Sequence, residues 1–364
     1  MMENFFMNDV GSALNCAVRR NQSYQFMIDM GAMNRKGMNL RHSKPYITDA
    51  FLLSHYHYDH YNGIGKQKLQ FDLKDVYLPK MPKILISCGS SNLSTRFLTS
   101  LMSFAIYKIG MYLVDYILCL LRSRGGLNFK VHYVSKEDNI VYGKRRYEVL
   151  WPPCQLEEKE TINSVTKAVE SYETLKEKYP ILKHTEAIGY EMQNMFDLFS
   201  KYEHQQQLVN DGILEEAFYR IMGSFRMLEG ERYDSPEEKL AFESDELFKE
   251  ANDSLRKAAN HLSIAFRQED NILFLGDLEE RELGIVCAEL IEKEQTRYNI
   301  LIAPHHGTHW HETMKHLKCD YALASVGNDL AKTIKISELS SISRCLLRTD
   351  CYGEINIQSK QILS

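Results

Sequence analysis

Short apolar runs alternating with turns open the chain. Gln25–Asp29 (QFMID) and Ala50–Leu53 (AFLL) are unbroken enough to be buried strands, and each ends where polar chemistry begins. Val131–Val134 and Tyr147–Leu150 predict two more strands, with a turn at Tyr142-Gly143-Lys144 and a stop at Trp151-Pro152-Pro153. From Leu156 to about Arg256 the texture changes. Glu, Lys and Gln dominate, Pro and Gly are scarce, and apolar residues recur at helical spacing, as at Ile213, Ala217, Ile221 and Phe225. Several helices are predicted here, one of them starting at Ser235-Pro236 with the serine as cap. Strand texture returns in Leu262–Phe266, Ile272–Leu275, Ile300–Ala303 and Tyr321–Ser325. The pattern divides the chain into a strand-rich body, 1–155 and 257–364, and a helical insertion, 156–256.

One segment needs separate treatment. Phe97–Leu121, inside an enlarged apolar helix at about 91–124, approaches the roughly 20 residues that cross a bilayer. Lys108 and Asp115 interrupt it, and a spacing of seven puts them on nearly one helical face. It reads as a buried or interface helix, so no membrane span is expected.

Composition fits a globular chain. Of 364 residues, 44% are hydrophobic and 26% charged, enough apolar mass for a large core. The net charge of −5 carries no basic signature over the whole chain. Its distribution is uneven. Residues 157–256 hold 12 Lys and Arg against 23 Asp and Glu, a balance of −11, while the remainder holds 32 against 26, a balance of +6. A mildly basic body could hold a polyanion that an acidic insertion would repel or mimic; equally, the insertion could be a solvated helical surface. The eight cysteines are scattered and form no C-x-x-C pair, which fits a reducing compartment. No basic-then-apolar leader opens the chain, and the expected location is the cytoplasm.

The candidate chemistry lies in FLLSHYHYDHYNGIG, Phe51–Gly65. His55 and His57, at the end of a strand, can project to one side and hold a metal; Asp59 and His60 can point at a second. Gly63 and Gly65 permit a tight turn into a helix. Two downstream strands end in similar chemistry. Leu273-Phe274-Leu275 runs into Gly276-Asp277, whose carboxylate could bridge two ions. Leu301-Ile302-Ala303 runs into Pro304-His305-His306-Gly307-Thr308, which could supply a last imidazole through His305. Asp29, after QFMI, sits at a fourth strand end and is expected to orient a ligand histidine. Imidazole and carboxylate donors suit Zn²⁺, Mn²⁺ or Fe.

These motifs resemble those of hydrolases of the metallo-β-lactamase fold, in which an HxHxDH cluster, a later Gly-Asp and a later His carry the metals. Further stretches are similar to the hydrolase domain of ComEC-type DNA-uptake competence proteins: Asp9-Val10-Gly11, Ile28-Asp29-Met30-Gly31, Leu150-Trp151-Pro152, Asn260-His261-Leu262-Ser263, Ser325-Val326-Gly327 and Arg348-Thr349-Asp350 with Gly353 and Ile355. The resemblance covers nearly all of 5–155 and 257–358 and implies an α/β, αββα four-layer sandwich with a large helical insertion at 156–256. The family's membrane channel is absent, so DNA uptake is not implied. A third histidine for the first metal has no clear counterpart; His132 reads as a strand residue and His261 lies near the Asn-x-x-Ser element.

The expected activity is metal-dependent phosphodiester hydrolysis of nucleic acid, chiefly DNA. Two divalent ions, Zn²⁺ or Mn²⁺, about 3.5–4 Å apart, would share an attacking hydroxide. His55 and His57 are assigned to the first, Asp59, His60 and His305 to the second, and Asp277 to both. His306, His309 or a metal-bound water would protonate the leaving oxygen, and Asn260, Ser263, Thr308 and His309 would face the phosphate. Alternatives are hydrolysis of a small phosphodiester such as a cyclic nucleotide, hydrolysis of a lactone or thioester, or a partner-gated effector subunit. A protein partner or self-association could use the 156–256 insertion or the 97–121 helix. A nuclease should show a positive groove at the metal cluster, and a small-molecule enzyme a closed pocket.

Overall fold

The computed structural model describes residues 3–20, 23–38, 46–64, 70–84, 93–109, 129–201, 212–230 and 242–358. It is an α/β structure built on two seven-stranded mixed sheets. The first sheet runs, in spatial order, β16 (Ile355–Gln358), β1 (Glu3–Met7), β2 (Asn15–Arg20), β3 (Tyr24–Met30), β4 (Ile47–Leu52), β5 (Gln70–Pro79) and β7 (Lys130–Val134). The second runs β15 (Ser343–Arg348), β14 (Lys318–Ala324), β13 (Arg297–Ile302), β12 (Ile272–Phe274), β11 (Ala265–Gln268), β9 (Arg145–Trp151) and β8 (Asn139–Tyr142). A short parallel pair, β6 (Lys83–Ile84) with β10 (Gln155–Leu156), lies apart.

Each sheet is half parallel. β3, β4, β5 and β7 pair in parallel in the first, and β12 to β15 in the second. Parallel strands are covered on both faces and so read as continuous apolar runs. The runs QFMID, AFLL, ILFL, ILIA and YALAS all fall in these halves. Strand alternation then sorts the side chains. Ala50 and Leu52, Ile272 and Phe274, Ile300 and Ile302 enter the layer between the sheets. Phe51, Leu53, Leu273 and Leu301 turn outward to the helices.

The Leu93–Ile109 helix covers the outer face of the first sheet, its Phe97, Leu101 and Met102 clustering with Phe51, Val76 and Val131. The second sheet is covered by the Glu280–Glu292 helix through Leu283, Val286 and Leu290. The insertion is helical, with helices at Lys159–Lys178, Leu182–Lys201, Ile213–Gly230 and Glu246–His261. These share the same core: Phe199 stacks on Phe129 at 4.8 Å, and Ser103 bonds Tyr172 and Thr185 at 2.6 and 2.7 Å. Ala217 and Ile221 of the expected stripe are buried and Ile213 is half-buried.

Some boundaries move. The strand expected from Leu262 starts only at Ala265, because Leu262 and Ser263 close the preceding helix and the Ile264 amide bonds the Ser54 carbonyl at 2.9 Å. That helix, Glu246–His261, also runs across the 256/257 division. Residues 110–128, including Asp115, lie outside the described residues, as do Gly65, the Ser235-Pro236 helix start, and the Lys108 and Phe225 side chains. Among the described residues no helix is long and apolar enough to cross a membrane. Cys16, Cys154, Cys287, Cys319, Cys345 and Cys351 are free thiols.

Phe26 shows how the two sheets are joined. Its ring lies 5.4–6.2 Å from those of Tyr142, Tyr147 and Tyr77, two from one sheet and one from the other. Phe26→Ala should cost about 3–5 kcal/mol of unfolding free energy through the cavity it leaves. A denaturant midpoint at the wild-type value would show that the inter-sheet layer collapses around the gap.

Candidate metal centre

Four parallel strands deliver the candidate residues to one rim. β3 ends at Asp29 and Met30; β4 leads into His55–His60; β12 leads into Gly276-Asp277; β13 leads into Pro304–His306. β3 and β4 are neighbours in one sheet, β12 and β13 in the other. The carboxyl ends of such strands form the crevice where α/β sheets bind ligands.

Asp277 is at the middle. Its Oδ2 lies 3.4 Å from His60 Nε2, 3.7 Å from His305 Nε2, 3.7 Å from His306 Nε2 and 3.9 Å from His55 Nε2. Asp59 Oδ2 is 3.6 Å from His306 Nε2 and 3.8 Å from His60 Nε2. Two groups therefore have their donor atoms close enough to hold an ion: His55, His60 and Asp277, and Asp59, His60 and His306. His57 adjoins them, its ring 4.4 Å from that of His55. In this arrangement His306, expected as a proton donor, takes the place expected of His305 beside Asp59 and His60. The reason is the turn Pro304–Gly307, where His305 (φ 45°) and His306 (φ 59°) are both left-handed. It drives His306 inward, with Nδ1 3.2 Å from the Ser325 carbonyl, and leaves His305 at the rim.

A supporting network fixes the rings. Asp29, fully buried at φ 55°, places Oδ2 2.7 Å from His60 Nδ1 and accepts from the Ser54 amide at 2.7 Å and hydroxyl at 2.6 Å. With its Nδ1–H on Asp29, His60 presents the Nε2 lone pair to the centre. Ser54, the residue before His55, was not among the expected site residues; its hydroxyl also lies 3.0 Å from His55 Nδ1. Ser263, expected to face the phosphate, is instead buried behind the ligands. Its hydroxyl accepts from the Asp277 amide at 3.1 Å and sits 3.3 Å from His55 Nδ1. Glycine is required at two approaches. A Cβ on Gly31 would lie 1.6 Å from the Asp59 carbonyl, and one on Gly276 (φ 55°) 2.5 Å from Ser263 Oγ.

The remaining expected residues also have local partners. Asn260 Nδ2 donates to Glu279 at 3.0 Å, Thr308 Oγ1 sits 2.8 Å from His305 Nδ1, and His309 Nδ1 lies 2.9 Å from the Leu278 carbonyl. The Thr308 hydroxyl therefore orients His305 rather than reaching into open space. His132 pairs with Asp75 at 2.8 Å, away from the centre. His261 pairs with buried Glu282 at 2.8 Å and accepts the Trp151 indole N–H on its carbonyl.

The centre favours positive charge. Burial pushes the His55 imidazole well below its ordinary range, His57 down to about 3, and His305 down to about 4, so these rings are neutral lone-pair donors. Burial opposes charge on His60 and His306 too, yet Asp277 and the carboxylates beside it raise both. For Asp59 and Asp277, burial is outweighed by the surrounding imidazoles, which hold both well below the usual carboxylate range. Four buried Nε2 atoms, of His55, His57, His60 and His306, have no hydrogen-bond partner among the described residues. A buried polar atom left unmatched costs about 1–3 kcal/mol, and three of these, of His55, His60 and His306, within 4 Å of Asp59 or Asp277 are what a cation would satisfy. The donor set fits a divalent ion such as Zn²⁺ or Mn²⁺.

A cleft of ≈ 340 Å³ opens over these residues. His57, Asp59, His305 and His306 form its floor, while Leu101 and Phe104 of one helix and Leu255 and Arg256 of the insertion form a wall. A larger cavity of ≈ 590 Å³, bounded by Arg297, Lys318 and Arg344, lies at the opposite strand ends and contains none of the candidate ligands. No protein-family model matches the chain, and no curated protein matches its sequence.

Zn²⁺ should raise the thermal midpoint and a chelator should lower it, since the ion binds only the folded cluster. Asp29→Ala should weaken Zn²⁺ about 10–100-fold, read by competition with a chromophoric chelator. Unchanged affinity in that variant would remove Asp29 from the role assigned to it.

Proposed function

We propose that this chain is a metal-dependent hydrolase of the metallo-β-lactamase type acting on phosphodiesters, with DNA the substrate favoured by its resemblance to ComEC-type hydrolase domains. The observation that carries the reading is the convergence of three unmatched imidazole nitrogens, of His55, His60 and His306, on Asp59 and Asp277 at the mouth of a cleft, with the His57 ring beside them. Two face-to-face sheets with helices outside are what the four-layer sandwich of that family requires. His55 and His57 with Asp277 would hold one divalent ion; Asp59, His60 and His306 with Asp277 would hold a second.

When bound, such ions polarise phosphoryl oxygens and acidify water. The chain's own residues do the rest. Asp29 and Ser54 hold His60, and Ser54 and Ser263 hold His55, so that the donors are in place before substrate arrives. His305 lines the cleft, is neutral, and is backed by Thr308 at Nδ1. As a neutral ring its Nε2 would accept a proton rather than supply one, so the leaving-oxygen role expected of His306, His309 or a metal-bound water does not pass to it.

A second reading, hydrolysis of a small phosphodiester, is favoured by the size of the cleft and by the insertion helix that walls it. Among the described residues that line the cleft, Arg256 is the one Lys or Arg, so the expected broad basic groove is not what supports the DNA reading.

Purified protein should be assayed on labelled single- and double-stranded DNA and RNA, and on a cyclic dinucleotide, with Mn²⁺, Zn²⁺ and Mg²⁺. Metal-dependent cleavage should fall to background in the double variant Asp59→Ala/His60→Ala. Cleavage of the cyclic dinucleotide alone would select the second reading. No cleavage of any substrate by protein shown to hold metal would overturn the phosphodiesterase proposal.

A further inference from the structure

Among the described residues lining the cleft, Arg256 is the one Lys or Arg. Lys176, Lys178, Lys249 and Arg220 each pair with a carboxylate at 2.5–2.9 Å. Arg256 is exposed and makes no ion pair among the described residues. It lies near the end of the Glu246–His261 helix and lines the cleft together with His57, Asp59, His305 and His306. Leu101, Phe104 and Leu255 give the same cleft an apolar part, beside polar Asn252 and Asp329. A cation without an ion pair among the described residues, apolar side chains and candidate metal ligands therefore share one cleft of ≈ 340 Å³, near the lower limit of small-molecule sites.

Resting on the phosphodiester reading above, we infer that this cleft recognises one nucleotide unit carrying two phosphates, with one phosphate on the ligand floor, the base against Leu101, Phe104 and Leu255, and the second phosphate on Arg256. Guanidinium binds phosphate through two parallel N–H···O bonds, and such charge-assisted pairs are about twice as strong as neutral ones. The acidic insertion thus contributes a single basic residue to the cleft. A strand end and a free nucleotide share this chemistry.

The test is calorimetric binding to the Zn²⁺-loaded full-length chain, with thymidine 3′,5′-bisphosphate and thymidine 5′-monophosphate as probes. The bisphosphate should bind about tenfold tighter or more. Arg256→Gln, checked for wild-type metal content and unfolding midpoint, should bring the ratio close to one, and Arg256→Lys should restore part of it. A ratio that survives in Arg256→Gln, or no preference in the wild type, would overturn the inference while leaving the phosphodiester reading intact. Binding of neither probe to metal-loaded protein would sink both. Competition by linear but not circular single-stranded DNA would mark a strand end as the source, and competition by neither would mark a free nucleotide.

Discussion

A single carboxylate oxygen, Oδ2 of Asp277, within 3.4–3.9 Å of four imidazole nitrogens, is the contact on which the rest of the molecule depends. The four rings come from two loops, one on each sheet. They meet only if the sheets are held in fixed register, face to face. The inter-sheet layer of Phe26, Leu52, Phe274 and Ile302 supplies that constraint. Close-packed interiors do not slide by fractions of an ångström, and a metal centre tolerates little more than that.

Three of the six left-handed non-glycine residues among the described residues lie at the same place. Asp29, His305 and His306 all have left-handed backbone, which costs a non-glycine residue roughly 1–2 kcal/mol. Each is held there by side-chain bonds: Asp29 by Ser54 and His60, His305 by Thr308, His306 by the Ser325 carbonyl. The strain has a geometric use. It turns Asp29 and His306 inward at strand ends and leaves His305 at the rim of the cleft.

The insertion is part of the body rather than an appendage. Its helices fill the outer layer over the first sheet and share that layer's core, and its last helix both walls the cleft and ends at Asn260 and His261. His261, Glu282 and Thr161 tie the two ends of the insertion to the helix that follows Asp277. Negative charge on its outer surface and one free arginine at the cleft are compatible because helical residues four apart share a face, while residues between them face solvent.

The sequence by itself determined the strand runs, because parallel strands buried on both faces leave unbroken apolar stretches such as AFLL and ILIA, and it determined that His55, Asp59, His60 and Asp277 sit at strand ends, because polar chemistry abruptly follows each run. The helical insertion was equally legible from its 3.6-residue periodicity. What only tertiary structure decided were contacts between residues far apart in the chain. Adjacent His305 and His306 are alike in sequence, and two left-handed residues in one turn choose which faces Asp59. Ser263 looks like a substrate contact until β11 starts late and leaves it between His55 and Asp277. Arg256 looks like one charge among many on an acidic helix. Its position at the cleft follows from how that helix packs against the Lys159–Lys178 and Leu93–Ile109 helices, which local pattern does not encode.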